Sequence, residues 1–173
     1  MSPIDQRSHP DPARPDPVPT RQHSWRPWVS TVARVALAAV FGVASLAKIG
    51  NTEAMVRAVR AYQILPESAV RPVAYALPYL ELAVAVLLLI GVGTRLVAAV
   101  AAVMLVLFIA AVSSAGLRGL RIDCGCFGSG GVVVHTHYLQ EIARDLGFLL
   151  LAAWLLVYPV SRLSVDELIS EDI

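Results

Sequence analysis

The two cysteines of this chain, Cys124 and Cys126, are separated by one glycine and lie between two apolar segments. Two residues apart, their α-carbons are at most about 7 Å from each other. A disulfide needs this distance to be about 4.4–6.8 Å, so a turn at Gly125 allows the pair to close under strain. Because strained, exposed disulfides exchange readily, the spacing predicts a thiol–disulfide couple. The alternative is a static bridge, although so small a loop gains little closure entropy from one.

A metal site is a second interpretation of the same loop. His135 and His137 follow the cysteines, and the four side chains would supply sulfur and nitrogen ligands that suit zinc or copper(I). In the usual zinc pattern, however, more residues separate the two members of each ligand pair. We therefore predict that Cys124 and Cys126 act as a redox pair and assign no metal ligands.

The composition indicates a membrane protein. The 173-residue chain is 57% hydrophobic and only 16% charged, whereas an average soluble domain is roughly a quarter charged. Its formal net charge is +1, and no basic stripe interleaved with aromatic residues occurs. We therefore expect contact with a lipid bilayer and no nucleic-acid partner.

Four apolar runs predict four membrane-spanning helices. The predicted spans cover about residues 29–47, 72–93, 96–115 and 139–160. The last run is short, so its helix must begin near Leu139 and take in Arg144 and Asp145. Asn51 or Thr52 can cap a short helix lying at the membrane surface between the first two spans. The expected fold class is all-α, an integral membrane four-helix bundle with a short interfacial helix.

Polar segments flank the predicted membrane domain. Residues 25–160 form that domain, residues 1–24 are expected to be a disordered tail, and residues 161–173 form a second polar tail. The long polar leader and the charge of Arg34 predict that the first span is retained and not cleaved as a secretory signal.

The side of the membrane is not decided by the charges, because Lys and Arg are almost evenly divided between the two sets of loops. A dithiol–disulfide pair persists best in an oxidising compartment. We therefore predict a multi-pass protein of the cell membrane. Its cysteine loop would be extracytoplasmic and both termini cytoplasmic.

Charged residues also occur inside the predicted spans. Glu81 is near the middle of the second span, Arg34 lies within the first, and Lys48 and Arg144 are near the outer edge. Charges at such depth pair with one another or line a polar cavity, and each of the three cations could reach Glu81. One hypothesis is a polar pocket in which these four residues bind the headgroup of a membrane quinone. The alternative is an ion pair that fixes the helix register.

Several short motifs occur in one order over about residues 29–160. They are Arg34 and Lys48 bracketing Phe41-Gly42, Tyr62-Gln63-Ile64-Leu65-Pro66, Leu77-Pro78-Tyr79-Leu80-Glu81-Leu82, Gly91 with Arg95, Asp123-Cys124-Gly125-Cys126-Phe127-Gly128, and Arg144-Asp145. In this pattern the chain resembles the MauE branch of the MauE/DoxX family of redox-associated membrane proteins. The resemblance implies disulfide chemistry outside the cytoplasm, with a thioredoxin-like partner and maturation of a redox enzyme such as methylamine dehydrogenase. DoxX relatives are linked to quinone-coupled sulfur oxidation.

Three hypotheses about function therefore arise from the sequence. The first is a membrane thiol–disulfide oxidoreductase that exchanges electrons between Cys124/Cys126 and a thioredoxin-like extracytoplasmic protein, with a membrane quinone as cofactor. The second is a non-catalytic anchor or assembly subunit of a redox enzyme, in which the cysteines form a permanent bridge. The third is a small metal chaperone.

Overall fold

A computed structural model describes residues 25–124, 130–132 and 138–159 of the chain. These residues form five α-helices and two short β-strands. The helices are α1 (Trp25–Ile49), α2 (Thr52–Ala61), α3 (Glu67–Ile90), α4 (Thr94–Leu117) and α5 (Tyr138–Val157), and the strands are β1 (Ile122–Cys124) and β2 (Gly130–Val132). The predicted tails, residues 1–24 and 161–173, lie outside the described residues.

The four long helices α1, α3, α4 and α5 share one apolar core. Its buried side chains are mostly small or aliphatic, and they include Leu37, Leu88, Ala101 and Leu155. A methyl group added at Gly42 of α1 would lie 3.8 Å from the Cβ atom of α3 Ala85, so small residues allow these two helices to approach closely. Helix packing of this kind confirms the all-α class.

Three helices of the described part, α1, α3 and α4, are long and apolar enough to cross a membrane. Each has 24 or 25 residues and is therefore about 36 Å long, compared with a hydrocarbon core of about 30 Å. Helix α5 has 20 residues and carries Glu141, Arg144 and Asp145. It is not one of these three candidate spans, and the predicted fourth span, residues 139–160, falls on it.

Helix α3 begins earlier than the predicted span. Its first residue is Glu67, not Pro72, and both Pro72 and Pro78 lie inside the helix. A proline cannot donate a backbone hydrogen bond, but it fits a helix whose other residues are held by packing. The helix ends at Gly91, where φ is 76° and the N–H donates to the carbonyl of Leu87 at 2.9 Å. Glycine adopts this left-handed conformation without a Cβ clash.

Helix α2 is the short helix that the sequence predicts between the first two spans. The side chain of Asn51 caps it by accepting a hydrogen bond from the N–H of Ala54 at 3.2 Å. Its Met55 and Val56 are buried against α3, in a cluster with Val70 and Ala74. The predicted capped helix is therefore confirmed, and it packs on the first half of α3.

Strands β1 and β2 form an antiparallel hairpin between α4 and α5, at the predicted cysteine loop. The pairs are Ile122 with Val132, Asp123 with Gly131, and Cys124 with Gly130. The hydroxyl of Tyr138 accepts a hydrogen bond from the N–H of Ile122 at 3.1 Å and donates to the carbonyl of Leu120. Both strands also contact α2. The hairpin is thus attached to the body of the protein on two sides.

An aromatic cluster joins the beginning of α1 to the end of α5. The ring centroids of Trp25 and Trp154 are 5.9 Å apart, and those of Trp154 and Tyr158 are 4.7 Å apart. The indole N–H of Trp154 donates to the hydroxyl of Ser30 at 3.3 Å, and this hydroxyl donates to the carbonyl of Tyr158 at 2.9 Å. The two ends of the described helical region therefore lie together at one end of the molecule.

Candidate functional site

An ion pair between Lys48 and Glu81 lies inside the protein. Lys48 is in the last turn of α1, and Glu81 is in the middle of α3. The Nζ atom is 2.5 Å from Oε1 and 2.8 Å from Oε2, and the side chains are only 3% and 1% exposed. The ammonium also lies 5.6 Å from the ring centroid of Phe108 on α4. Among the three cations that the sequence offered to Glu81, the structure pairs it with Lys48.

Helix α5 adds a second pair of charges beside the first. The Nε and Nη2 atoms of Arg144 are each 3.1 Å from Oδ1 of Asp145, which is buried. Lys48, Glu81, Arg144 and Asp145 line one small cavity of about 30 Å³, which has room for about one water molecule. Two cations and two anions meet there, so their formal charges cancel. Asp145 completes this balance and was not among the predicted site residues.

Arg34, the fourth predicted site residue, lies elsewhere. It is buried in α1, but about 21 Å along the helix axis from Lys48. It does not line the cavity that holds the other three predicted residues. A regular helix over these residues already places Arg34 and Lys48 this far apart, so their separation could be predicted from the sequence alone.

A much larger groove opens on the other side of Lys48, between α2, α3 and α4. Its volume is about 600 Å³, and its walls are almost wholly apolar. Lining residues include Lys48, Met55, Leu77, Phe108, Ala111 and Arg118. At one end the guanidinium of Arg118 donates to the carbonyl of Tyr62, which joins the end of α4 to the end of α2. Sequence patterns do not reveal the groove, because its lining residues come from separate helices that only the fold brings together.

Cys124 is the last residue of β1, and its backbone pairs with Gly130. Cys126, the other half of the predicted redox pair, lies outside the described residues. His135 and His137, proposed with the cysteines as metal ligands, lie outside them as well. By sequence, Cys126 belongs to the five residues that connect β1 to β2.

These features define a class of protein: a helical membrane protein with a buried, electrically balanced charge cluster and a cysteine-bearing hairpin between two long helices. The family model of the methylamine utilisation protein MauE matches residues 26–158. The chain therefore belongs to the MauE family. The match covers the hairpin and all five helices except Trp25, the first residue of α1.

Individual relatives agree with this assignment. The chain is 41% identical over 106 residues to the methylamine utilization protein MauE of Paracoccus denitrificans, which covers 61% of this chain and 57% of that protein. It is 37% identical over 134 residues to the protein of the same name from Methylorubrum extorquens, covering 75% of this chain and 71% of the relative. The chain thus matches little more than half the length of the first of these relatives. No solved structure matches it.

Proposed function

We propose that this protein is a membrane thiol–disulfide exchange protein whose reactive groups are Cys124 and Cys126. The observation that carries the proposal is the position of the cysteines. The last backbone pair of the ladder is Cys124 with Gly130, and Cys126 follows in the five-residue connection between the strands. Because two residues span at most about 7 Å, both thiols stay within the range in which a disulfide can open and close.

The exchange partner in this proposal is a thioredoxin-like extracytoplasmic protein. In one direction, a thiolate of the partner attacks a sulfur of the Cys124–Cys126 disulfide, and one of the two cysteines leaves as a thiolate. The second thiolate of the partner then attacks the mixed disulfide. The partner leaves with a disulfide, having lost two electrons, and Cys124 and Cys126 have gained them. The reverse reaction breaks and forms the same bonds.

Continued exchange needs a second redox partner, and a membrane quinone is the cofactor proposed. When bound, a quinone supplies an acceptor for two electrons and two protons in a form that dissolves in lipid. Lys48, Glu81 and Arg144 lie together at one small cavity, where they offer hydrogen-bond donors and a carboxylate to the polar edge of a headgroup bound next to it. Arg34, about 21 Å away along α1, is not part of that group.

The proposed setting is the cell membrane, with α1, α3, α4 and α5 as four spans and both termini cytoplasmic. Three of these helices have the length and apolar character of a span. The charges of α5 are compatible with a fourth, because Asp145 is buried and Arg144 pairs with it. The hairpin would then face the extracytoplasmic side, where the chain would serve disulfide formation or maturation of a redox enzyme subunit, as the names of its relatives suggest for methylamine utilisation.

Thiol trapping tests the proposal. The Cys126→Ser and Cys124→Ser variants are expressed in the native host. The cells are then acidified, so that protonated thiols cannot exchange, and the proteins are separated under non-reducing conditions. One of the two variants is expected to accumulate a mixed disulfide with a thioredoxin-like protein, since the resolving thiol is missing. The double variant is the control and should trap nothing. If neither single variant traps a partner and both support growth like the wild type, the exchange function is wrong.

The alternative function is a membrane anchor or assembly subunit with a permanent bridge. The attachment of the hairpin to Tyr138 and to α2 favours it, because a static hairpin serves an anchor well. The redox state of the cysteines decides between the two functions. A pair that cycles between thiol and disulfide with growth conditions supports exchange, whereas one that stays oxidised under all of them supports the anchor.

A further inference from the structure

We propose that the groove between α2, α3 and α4 is the binding site for the ring of a membrane quinone, with a quinone carbonyl oxygen accepting a hydrogen bond from Nζ of Lys48. This inference rests on the proposed function for the kind of ligand and adds its location. The sequence places the quinone among the charged residues alone. The cavity that these residues share has a volume of only about 30 Å³, which is too small for a ring.

The groove has the size and surface of a small-molecule site. At about 600 Å³ it falls within the roughly 300–1,000 Å³ of typical ligand pockets, and such pockets are mainly apolar with a few placed polar groups. It follows α4 from Phe108 to Arg118, a distance of about 15 Å along the helix. Two of its walls, α3 and α4, are helices long enough to cross a membrane. In the proposed membrane setting, the groove therefore lies beside the lipid-spanning part of these helices.

Lys48, the polar group at one end of the groove, determines what kind of ligand can bind there. An ammonium has three N–H donors, and Nζ of Lys48 donates to the two oxygens of Glu81. These two bonds leave one further N–H donor, and Lys48 lines the groove, so an acceptor oxygen of a bound ligand can use that donor. The ring of Phe108, which also lines the groove, lies beside the same ammonium and offers a flat apolar surface on which another ring can stack. A planar carbonyl compound satisfies both features.

The acyl chain of a phospholipid is the competing occupant, and Lys48 argues against it. A chain end placed against a buried ammonium would leave its third donor without an acceptor, which is costly in an apolar site. Lys48 also lines the small cavity with Glu81, Arg144 and Asp145, so one side chain borders both spaces. A carbonyl at Lys48 is therefore next to residues that can take up or release protons.

Photolabelling of the full chain in phosphatidylcholine nanodiscs tests the site. The probe is an azido derivative of decylubiquinone, with labelled residues identified by mass spectrometry and unlabelled decylubiquinone as competitor. Label is expected on groove residues of α2 and α4, and the competitor should remove it. Label spread along the outer surface of α4, or label that the competitor does not remove, would overturn the proposal and assign the groove to a lipid chain.

Matched variants sharpen the test. Ala111→Phe fills the groove and should reduce labelling about tenfold, a loss typical of a blocked pocket. Leu96→Phe lies on the same helix, about 22 Å from Ala111 along its axis, at a side chain that is 72% exposed, and should leave labelling unchanged. Should Ala111→Phe fail to fold, Val59→Phe fills the groove from α2. Equal labelling of the wild type and a folded groove-filling variant contradicts the site.

Two further variants separate this inference from the proposed function. Lys48→Met/Glu81→Met removes the donor and its counterion together and should weaken labelling about tenfold, the typical effect of losing one hydrogen bond to a charged group. Unchanged labelling in this variant would refute the role of Lys48. Cys124→Ser/Cys126→Ser should label like the wild type. If the groove is labelled but no partner is trapped, only the exchange function is refuted. If a partner is trapped but the groove is not labelled, only the quinone site is refuted.

Discussion

Lys48 and Glu81 form a bidentate ion pair between the end of α1 and the middle of α3, with Nζ 2.5 Å and 2.8 Å from the two carboxylate oxygens. Both side chains are almost completely removed from the surface. A buried pair of this kind adds little net stability, because desolvation offsets the attraction between the charges. Its loss on one side only is a different matter, since the remaining charge stays buried without the partner that contacts it directly.

Removing one partner of this pair should therefore destabilise the protein more than removing both. Lys48→Met leaves the carboxylate of Glu81 buried, and we expect it to cost about 3–5 kcal/mol in the free energy of unfolding. Lys48→Met/Glu81→Met should recover most of that loss. The measurement is unfolding in mixed detergent micelles, followed by circular dichroism.

The exposed pair of Arg60 and Glu67 is the matched control for that experiment. It joins α2 to α3, and its side chains are 48% and 67% exposed. Single replacement by Met at either position should change the free energy of unfolding by about 1 kcal/mol or less, because water screens the charges. Equal effects of Lys48→Met and Arg60→Met would mean that the Lys48–Glu81 pair is not buried as described.

The sequence predicted the helices well and the contacts between them less well. Long apolar runs determine the number and approximate bounds of the helices, and Asn51 was correctly predicted as a candidate cap of α2. The predicted start of the second span at Pro72 was wrong, because a proline inside an apolar helix is tolerated. Which cation pairs with Glu81 depends on how α1 and α3 are rotated against each other, and apolar helices with weak periodicity do not specify that rotation.

The hydroxyl of Tyr138 should determine how firmly the hairpin is held. Tyr138→Phe removes its hydrogen bonds with the N–H of Ile122 and the carbonyl of Leu120, at an expected cost of about 1–3 kcal/mol. Amide hydrogen exchange at Ile122 should become faster. Tyr79→Phe, at a side chain that is 61% exposed on α3, serves as the control and should leave that exchange rate unchanged.

The turn between α3 and α4 should depend on Gly91. Its φ of 76° is unfavourable for a residue with a Cβ atom, so Gly91→Ala should lower the free energy of unfolding by about 1 kcal/mol. Gly91→Asn should cost less, because asparagine tolerates the left-handed region. Gly50→Ala is the comparison: an added methyl group has no neighbour within 4 Å there, and φ is not positive, so it should raise the free energy of unfolding by about 0.4–1 kcal/mol. Thermal unfolding in detergent measures all three.

A membrane-impermeant maleimide should label the cysteine pair in intact cells after mild reduction with an impermeant reagent. This follows from the proposed extracytoplasmic position of the hairpin. Arg95→Cys, made in the Cys124→Ser/Cys126→Ser background, places a single thiol in the first turn of α4, at the other end of that helix from the hairpin. It should be labelled only after lysis. The opposite result for both proteins would mean that the chain is inserted the other way.

The balance of two cations and two anions around Lys48 has an electrical consequence. As long as all four are ionised, the cluster has no net charge on which the transmembrane voltage can act. A single proton that leaves the cluster creates one uncompensated charge within the membrane, and moving an elementary charge through the full voltage is worth about 2.3 kcal/mol per 100 mV. In the proposed membrane setting, proton exchange at the cluster is therefore electrogenic, and its equilibrium depends on the transmembrane voltage.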